Sequence, residues 1–263
     1  CPGKAPLVVF GHKDPMMLVC FLACVKSGRA YCPVDTNVPM DRVMQIIEAV
    51  SGPVVLATEP LDTQIPGLLD LEWLQDISAN YDKAESLPYI NGSDAYYIIF
   101  TSGSTGMPKG VTACHRSLID YAEALCPVIG SSPDSVFAMQ VPLYVDACMK
   151  EILSVIKCGS TAYLIPQSLF MSPLRVVELL NRRKINTLCW VASALTMLSG
   201  LGAFEEAVPE HLTTVCFGSE VFPVKQLRLW QKAVPGAKFI NLYGPTEATG
   251  MSFYYVVDRD FTD

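Results

Sequence analysis

Charge is scarce in this chain of 263 residues, with Asp, Glu, Lys and Arg at 17% against roughly 25% in an average soluble domain. What charge there is leans acidic, 19 Lys and Arg against 26 Asp and Glu for a net −7. Such a surface repels a polyanion, so no nucleic acid partner is expected. Histidine is scarcer still: His12, His115 and His211 are all there is. None lies beside a cysteine pair at ligand spacing, which argues against a structural zinc site. Cys-x-x-Cys is missing too. The ten cysteines fall well short of the roughly 8 to 10% of a disulfide scaffold. Cys20, Cys24, Cys158, Cys189 and Cys216 sit inside apolar runs and read as buried thiols of a reducing, cytoplasmic compartment. Long apolar runs are also lacking. The longest, Met16 to Val25, is only ten residues, short of the roughly 18 that cross a bilayer. Asp14-Pro15 before it and Ser27-Gly28 after it mark a buried globular helix rather than a signal-peptide core, so no membrane insertion is expected. Without an initiator Met and with a strand-like stretch at once, the chain reads as an internal piece of a longer one.

Apolar residues, by contrast, make up 51%, enough for a sizeable core. Strand-like runs at Leu7 to Phe10, Val54 to Ala57, Tyr96 to Thr101, Val136 to Gln140, Thr161 to Ile165, Thr187 to Trp190, Thr214 to Phe217 and Lys238 to Leu242 alternate with helical patterns. This alternation predicts an α/β fold in which helices sandwich mostly parallel sheets. Val43, Ile46, Ile47 and Val50 follow the i, i+3, i+4, i+7 rule behind Pro39, and Ser172-Pro173 and Phe222-Pro223 open two more helices. The stretch from Glu59 to Asp94 is the least regular, although Leu68 to Ile77 reads as a short helix. Residues 1–60 are therefore read as part of a first α/β subdomain, 61–93 as a connection, and 94–263 as a second subdomain, whose late strands are free to return to the first.

The most informative segment runs Tyr97-Ile-Ile-Phe-Thr-Ser-Gly-Ser-Thr-Gly-Met-Pro-Lys-Gly110. A buried strand ends at Thr101 and releases hydroxyls at Thr101, Ser102, Ser104 and Thr105 with glycines at Gly103, Gly106 and Gly110. Glycines let backbone N–H groups turn toward an anion, hydroxyls donate further bonds and Lys109 adds a point charge, which together suit a polyphosphate. It is not a Walker A loop, because Pro108 stands where that loop has glycine before its lysine. A flexible Gly/Ser linker is the competing reading. Linkers, however, seldom follow an apolar strand and finish in Pro-Lys-Gly.

This segment resembles the nucleotide-loop signature of the adenylate-forming enzymes, the superfamily of acyl-CoA synthetases, nonribosomal peptide synthetase adenylation domains and luciferases. Three other segments resemble further motifs of that superfamily: Val25-Lys-Ser-Gly-Arg-Ala-Tyr-Cys-Pro-Val-Asp35, Tyr144-Val-Asp-Ala-Cys148, and Asn241-Leu-Tyr-Gly-Pro-Thr-Glu-Ala-Thr249. The resemblance runs nearly end to end and implies a fragment of the large N-terminal domain. By residue chemistry alone, the last segment is a strand end and a strong turn that presents a ring, a hydroxyl and a carboxylate, or else an ordinary surface turn. The resemblance implies more. Tyr243 stacks on adenine, Asn241 contacts its edge, Gly244 belongs to the turn, Thr246 lies near the α-phosphate and Glu247 holds Mg²⁺. Gly218-Ser219-Glu220 flanks the adenine, and Lys109, Thr246 and Glu247 are the catalytic candidates. The implied reaction is attack by a substrate carboxylate on the α-phosphorus of ATP, then transfer of the acyl group to the phosphopantetheine thiol of a carrier protein. Positioning and charge stabilisation would carry it.

Asp146 is either a helix N-cap or, as the resemblance implies, the partner of a substrate α-amino group, which favours an amino acid over a fatty or aryl acid. Val8 to Ala57 and Pro223 to Thr249 are most similar to the D-alanine:D-alanyl carrier protein ligases, with one departure: Gly218 stands where those ligases have cysteine, with Cys216 displaced. Lys150 is a second departure. A cation in the pocket favours an acidic substrate side chain, and an i, i+4 pair with Asp146 is the alternative. Other pocket candidates are Ala147, Cys189, Val215, Phe217, Leu242, Gly250 and Met251. His115 reads as structural, since an ionised carboxylate needs no general base. The superfamily's later motifs, a Tyr-x-Thr-Gly-Asp segment and a C-terminal lysine on a mobile domain, are not found, so the piece alone is expected to be inactive. An acyl-CoA synthetase-type ligase and a noncatalytic nucleotide- or partner-binding module are the alternative functions.

Overall fold

The computed structural model describes residues 4–50, 54–61, 65–81, 84, 86–101 and 109–261. The chain divides into two compact units, one of residues 1–119 with 142–146 and one of residues 120–141 with 147–263.

In the first unit, β1 (Leu7–Phe10), β2 (Tyr31–Val34), β3 (Val55–Ala57), β4 (Leu68–Leu69), β5 (Ala95–Thr101) and β6 (Lys109–Cys114) form one sheet in the order β4-β3-β1-β2-β5-β6. Every pair is parallel except β5 with β6. Strands buried on both faces read as continuous apolar runs, and Val8 and Val9 of β1 are wholly buried. The helix expected at Met16 to Val25 is α1 (Pro15–Lys26), started by the Asp14 carboxylate, which accepts from the Met16 N–H, and carrying proline at the position where its missing N–H costs least. Next come α2 (Met40–Ala49), which buries Val43 and Ile46, and α3 (Leu71–Asn80). The helix read at Leu68 to Ile77 is displaced. Leu68 and Leu69 extend the sheet beside β3 instead, and Asp70 starts the helix by accepting from the Trp73 N–H at 2.9 Å.

The boundary drawn at residue 94 is corrected by the strand pairing. β5 and β6 join the first sheet, because Tyr97 pairs with Tyr31 of β2 and the rings of Phe21, Tyr31, Tyr96 and Tyr97 pack together, Phe21 stacking on Tyr31 at 4.1 Å. Aromatic pairs of this kind add to the area they bury.

The helix α4 (His115–Ile129) leads into the second unit. There β7 (Val136–Met139), α5 (Met149–Cys158), β8 (Thr161–Leu164), α6 (Pro173–Arg182), β9 (Thr187–Val191), α7 (Ala192–Gly200), α8 (Ala203–Glu206), β10 (Thr214–Gly218), α9 (Val224–Ala233), β11 (Lys238–Tyr243) and β12 (Phe253–Val256) follow. The sheet order is β12-β11-β10-β9-β7-β8, parallel except for β11 with β12. Its late strands do not return to the first sheet. One face packs a core of Val176, Val177, Leu180, Leu188, Leu195, Val215 and Trp230, with the Trp230 indole N–H donating to the Leu195 carbonyl at 2.9 Å. The expectation of buried thiols holds for seven of the nine described cysteines; Cys114 and Cys158 are half-buried, and no disulfide is found among the described residues.

Candidate functional site

In a parallel sheet, ligands gather beyond the carboxyl ends of the strands, and each unit concentrates its polar side chains there. In the first unit the loops after β1, β2 and β3 are tied together. His12 Nδ1 lies 2.7 Å from the carboxylate of Asp35, which is 3% exposed along its side chain. The His12 backbone N–H donates to Glu59, and Asp35 also accepts from the backbone and side chain of Asn37. One strand over, β5 ends at Thr101, which pairs with Lys109 at the start of β6. The Arg42 guanidinium donates to the Thr101 carbonyl at 3.3 Å, and Lys109 is exposed. Ser102, Gly103, Ser104, Thr105 and Gly106 lie outside the described residues. Asp146 also belongs to this unit and is 8% exposed. It opens a single 3-10 turn, Asp146–Cys148, and α5 begins after it with Cys148 at its cap, so Asp146 is not the N-cap of α5. Nearby, burial raises the Tyr144 phenol above its ordinary value and the Asp35 charge adds to the shift. His115 opens α4 with its ring edge-on to Tyr96 at 5.1 Å, and burial lowers its pKa against the opposing pull of Asp94.

The second unit holds the rest. β11 and β12 bracket a tight connection closed by the Ser252 N–H donating to the Tyr243 carbonyl at 2.8 Å. Within it, Thr246–Ala248 makes a 3-10 turn and Thr249 takes a left-handed conformation at φ 61, uncommon for a β-branched residue. Gly244 has no room for a side chain, since a Cβ there would lie 1.9 Å from the Gly250 carbonyl oxygen. The connection thereby presents Asn241, Tyr243 and Glu247 to solvent, with Thr246 half-buried. Tyr243 is 64% exposed beside Phe253 at 6.4 Å. At the end of β10, Ser219 adopts φ 67 and the Glu220 carboxylate accepts from the Ser193 N–H at 2.8 Å, fastening this turn to the start of α7.

At that turn is a narrow hollow lined by Lys150, Cys189, Trp190, Val191, Cys216, Phe217, Gly218, Ser219, Leu242 and Met251. It is too narrow to admit a separate water molecule. Of the expected pocket residues, Lys150, Cys189, Phe217, Leu242 and Met251 meet here. Val215, Ala147 and Gly250 do not. Val215 faces the apolar core on the other side of the sheet, and Gly250 packs against Tyr121, whose ring a Cβ would meet at 2.9 Å. Cys216 was missed, and its signal was available: parallel pairing sets Cys216 level with Cys189, and side chains alternate faces along a strand, so the residue beside Cys189 shares its face. The Cys189 thiol is raised well above its ordinary value, first by its hydrogen bond with Cys216, then by burial and the Glu151 charge, with Lys150 opposing. Lys150 itself is 4% exposed. Among the described residues no ion pair joins it to Asp146, so the i, i+4 pair does not form. The intervening 3-10 turn breaks the helical spacing that such a pair needs.

Compared with known proteins, residues 3–263 match the family model described as AMP-binding enzyme. The chain belongs to the AMP-binding enzyme family. The D-alanine–D-alanyl carrier protein ligase of Bacillus anthracis is 31% identical over 249 residues, 94% of this chain and 50% of that protein. The chain thus spans half the length of this curated relative. Among solved structures, the AMPPNP-bound nonribosomal peptide synthetase FmoA3 superposes with a TM-score of 0.88 at 20% identity, covering 99% of this chain and 28% of that one. The N-terminal subdomain of Klebsiella oxytoca NpsA, in complex with 3-hydroxybenzoyl-AMSN, gives 0.80 at 19% over 97% of this chain and 63% of that one. The two mixed α/β sheets with their helices are the fold of the N-terminal subdomain of adenylate-forming enzymes.

Among the described residues no helix is long and apolar enough to cross a membrane, and no group of three or more His, Cys, Asp or Glu can hold a metal ion. Mg²⁺ does not require such a group. It is commonly held by one or two carboxylates together with substrate phosphates, and the exposed carboxylate of Glu247 fits that donor set.

Proposed function

We propose that the protein is an ATP-dependent ligase that activates an amino acid as its aminoacyl-adenylate and passes it to the phosphopantetheine thiol of a carrier protein. The observation that carries this reading is the pairing of the family match over residues 3–263 with a curated relative named as a ligase for a carrier protein. In the first half-reaction a substrate carboxylate oxygen bonds to the α-phosphorus while the bond from that phosphorus to the bridging oxygen breaks, and pyrophosphate leaves with the electron pair. In the second, the carrier thiolate attacks the acyl carbon, AMP leaves with the electrons of the acyl–oxygen bond, and the thiol proton goes to solvent.

Little covalent chemistry falls to the protein, so its residues act by position and charge. Tyr243, standing out from the sheet, gives a face on which adenine stacks, with Asn241 at its edge and the strained Ser219 turn flanking it. Lys109 and the loop before it, Ser102 to Gly106, bind the phosphates. Thr246 lies by the α-phosphate, and Asp146 pairs with the α-amino group of the substrate. Glu247 would hold Mg²⁺, which would neutralise charge on the leaving pyrophosphate. The free thiols suit a reducing cytoplasm. ATP:pyrophosphate exchange by the full-length protein tests the reading. Exchange that depends on an amino acid is expected; exchange that appears only with fatty or aryl acids, or with none, would refute it.

A further inference from the structure

Two thiols meet where α4 packs on α5, both within the second unit, and each stands at a weak point of its helix. Cys126 is 3% exposed and is followed by Pro127 inside α4, which leaves that turn one backbone hydrogen bond short. Cys158 is half-buried and is the last residue of α5, next to the left-handed Gly159 cap. The contacts on either side fix how the helices meet. Cys126 Sγ lies 3.8 Å from the Ser154 hydroxyl. Three residues further along α5, Lys157 pairs with Glu123 and donates to the Ala122 carbonyl. Residues four apart share a helix face, so Cys158 follows Ser154 on the face turned to α4, bracketed between the Cys126 and Glu123 contacts. Burial raises the Cys126 thiol above its ordinary value, the Ser154 hydroxyl opposes, and the neighbouring Cys158 thiol adds to the rise. Neither cysteine belongs to a nucleotide motif or lines the hollow.

We propose that Cys126 and Cys158 are a modification site, a thiol pair that a low-molecular-weight disulfide converts reversibly into a disulfide clasp between α4 and α5. Cys158, the more accessible of the two, reacts first. Its sulfur loses a proton and bonds to one sulfur of the oxidant, and the other sulfur leaves with the electron pair and takes up a proton. The Cys126 sulfur then loses its proton and bonds to the Cys158 sulfur, expelling the second half of the oxidant as a thiol. Two electrons and two protons pass from the pair to the oxidant, and a dithiol reverses the exchange. The bond draws the two sulfurs to about 2 Å, an adjustment absorbed at the Pro127 turn and at the end of α5. Transient disulfides of this kind are the ones found in reducing compartments.

The test treats the folded full-length protein with glutathione disulfide, alkylates the remaining thiols, and maps the unreduced peptides by mass spectrometry. A peptide pair joined through Cys126 and Cys158 is expected, released by dithiothreitol. Ring closure between neighbouring groups is fast, so glutathione held on Cys158 should amount to about a tenth or less of the linked form. Cys126→Ser should reverse that ratio, trapping glutathione on Cys158, and Cys158→Ser should leave Cys126 reduced, with circular dichroism reporting that both variants are folded. Wild-type protein that keeps glutathione on Cys158 while Cys126 is alkylated, or in which both thiols are alkylated, overturns the inference.

Discussion

The two sheets end alike and differ in what they do with the ending. Each is a parallel sheet whose last parallel strand turns back into a single antiparallel edge strand, β5 into β6 and β11 into β12. In both, the connection at the carboxyl end of the parallel strand carries a family motif. The second connection is held by backbone: Ser252 closes it on Tyr243, and Gly244 lies against the Gly250 carbonyl. At the described ends of the first, a Cβ on Gly110 would meet the Ile98 side chain, and Arg42 donates to the Thr101 carbonyl. Phosphates are flexible polyanions that many donors can gather, whereas a base needs one fixed plane. On the proposed function, the backbone-held connection after β11 is the one that serves the base.

Changes that separate the two units sharpen this comparison. The largest effect is expected from Trp230→Ala, which empties the second core and strips the Leu195 carbonyl of its donor. It should cost about 3 to 5 kcal/mol in denaturant unfolding monitored by circular dichroism. Gly244→Ala comes next. Its Cβ meets backbone that cannot yield, and displacing a positioned turn by an ångström costs about 100-fold in rate. Gly110→Ala, whose Cβ would meet the Ile98 side chain at 2.8 Å, should lower pyrophosphate exchange by less than about tenfold on the same scale. Equal losses would show that the two turns are held alike. Tyr243→Ala should weaken ATP binding by the about 1 to 3 kcal/mol of an aromatic–base stack, measured by titration calorimetry, and Phe253→Ala by clearly less.

The smallest effect lies in the first unit. Burial raises Cys20 from its ordinary 9.0 to about 11, and raises Cys24 and Cys32 to about 12. Well below pH 9 these thiols are protonated in folded and unfolded chains alike, and their contribution is whole. As pH rises further the unfolded chain ionises first, so stability falls until the native thiols ionise at 11 to 12. Cys24→Ala should flatten that decline in unfolding curves taken between pH 8 and 10.

Parallel strands were the most legible part of the fold, and β1 was read to the residue, because burial on both faces writes them as unbroken apolar runs. The edge strand β8 was legible, but the edge strands β6 and β12 and the interior strand β2 were not: Phe253 and Tyr254 of β12 are exposed, β6 opens on Lys109-Gly110, and β2 contains Pro33, which cannot donate to a ladder. The motifs announced the residues proposed to face the nucleotide through their glycines and hydroxyls, but the hollow depends on register. Val215 and Cys216 are neighbours in sequence and lie on opposite faces, and only the pairing of β9 with β10 tells which one joins Cys189. Likewise the resemblance placed Lys150 at a pocket position, while its burial is a property of the folded chain.

The most direct test of the central claim uses an amino acid whose carboxylate carries oxygen-18, incubated with ATP, carrier protein and the full-length protein. Attack by that carboxylate on the α-phosphorus leaves one labelled oxygen on phosphorus once the thioester forms. Mass spectrometry should therefore find AMP carrying a single oxygen-18, with unlabelled pyrophosphate. Unlabelled AMP, or ADP with labelled phosphate, would place the bond-forming step elsewhere and contradict the account.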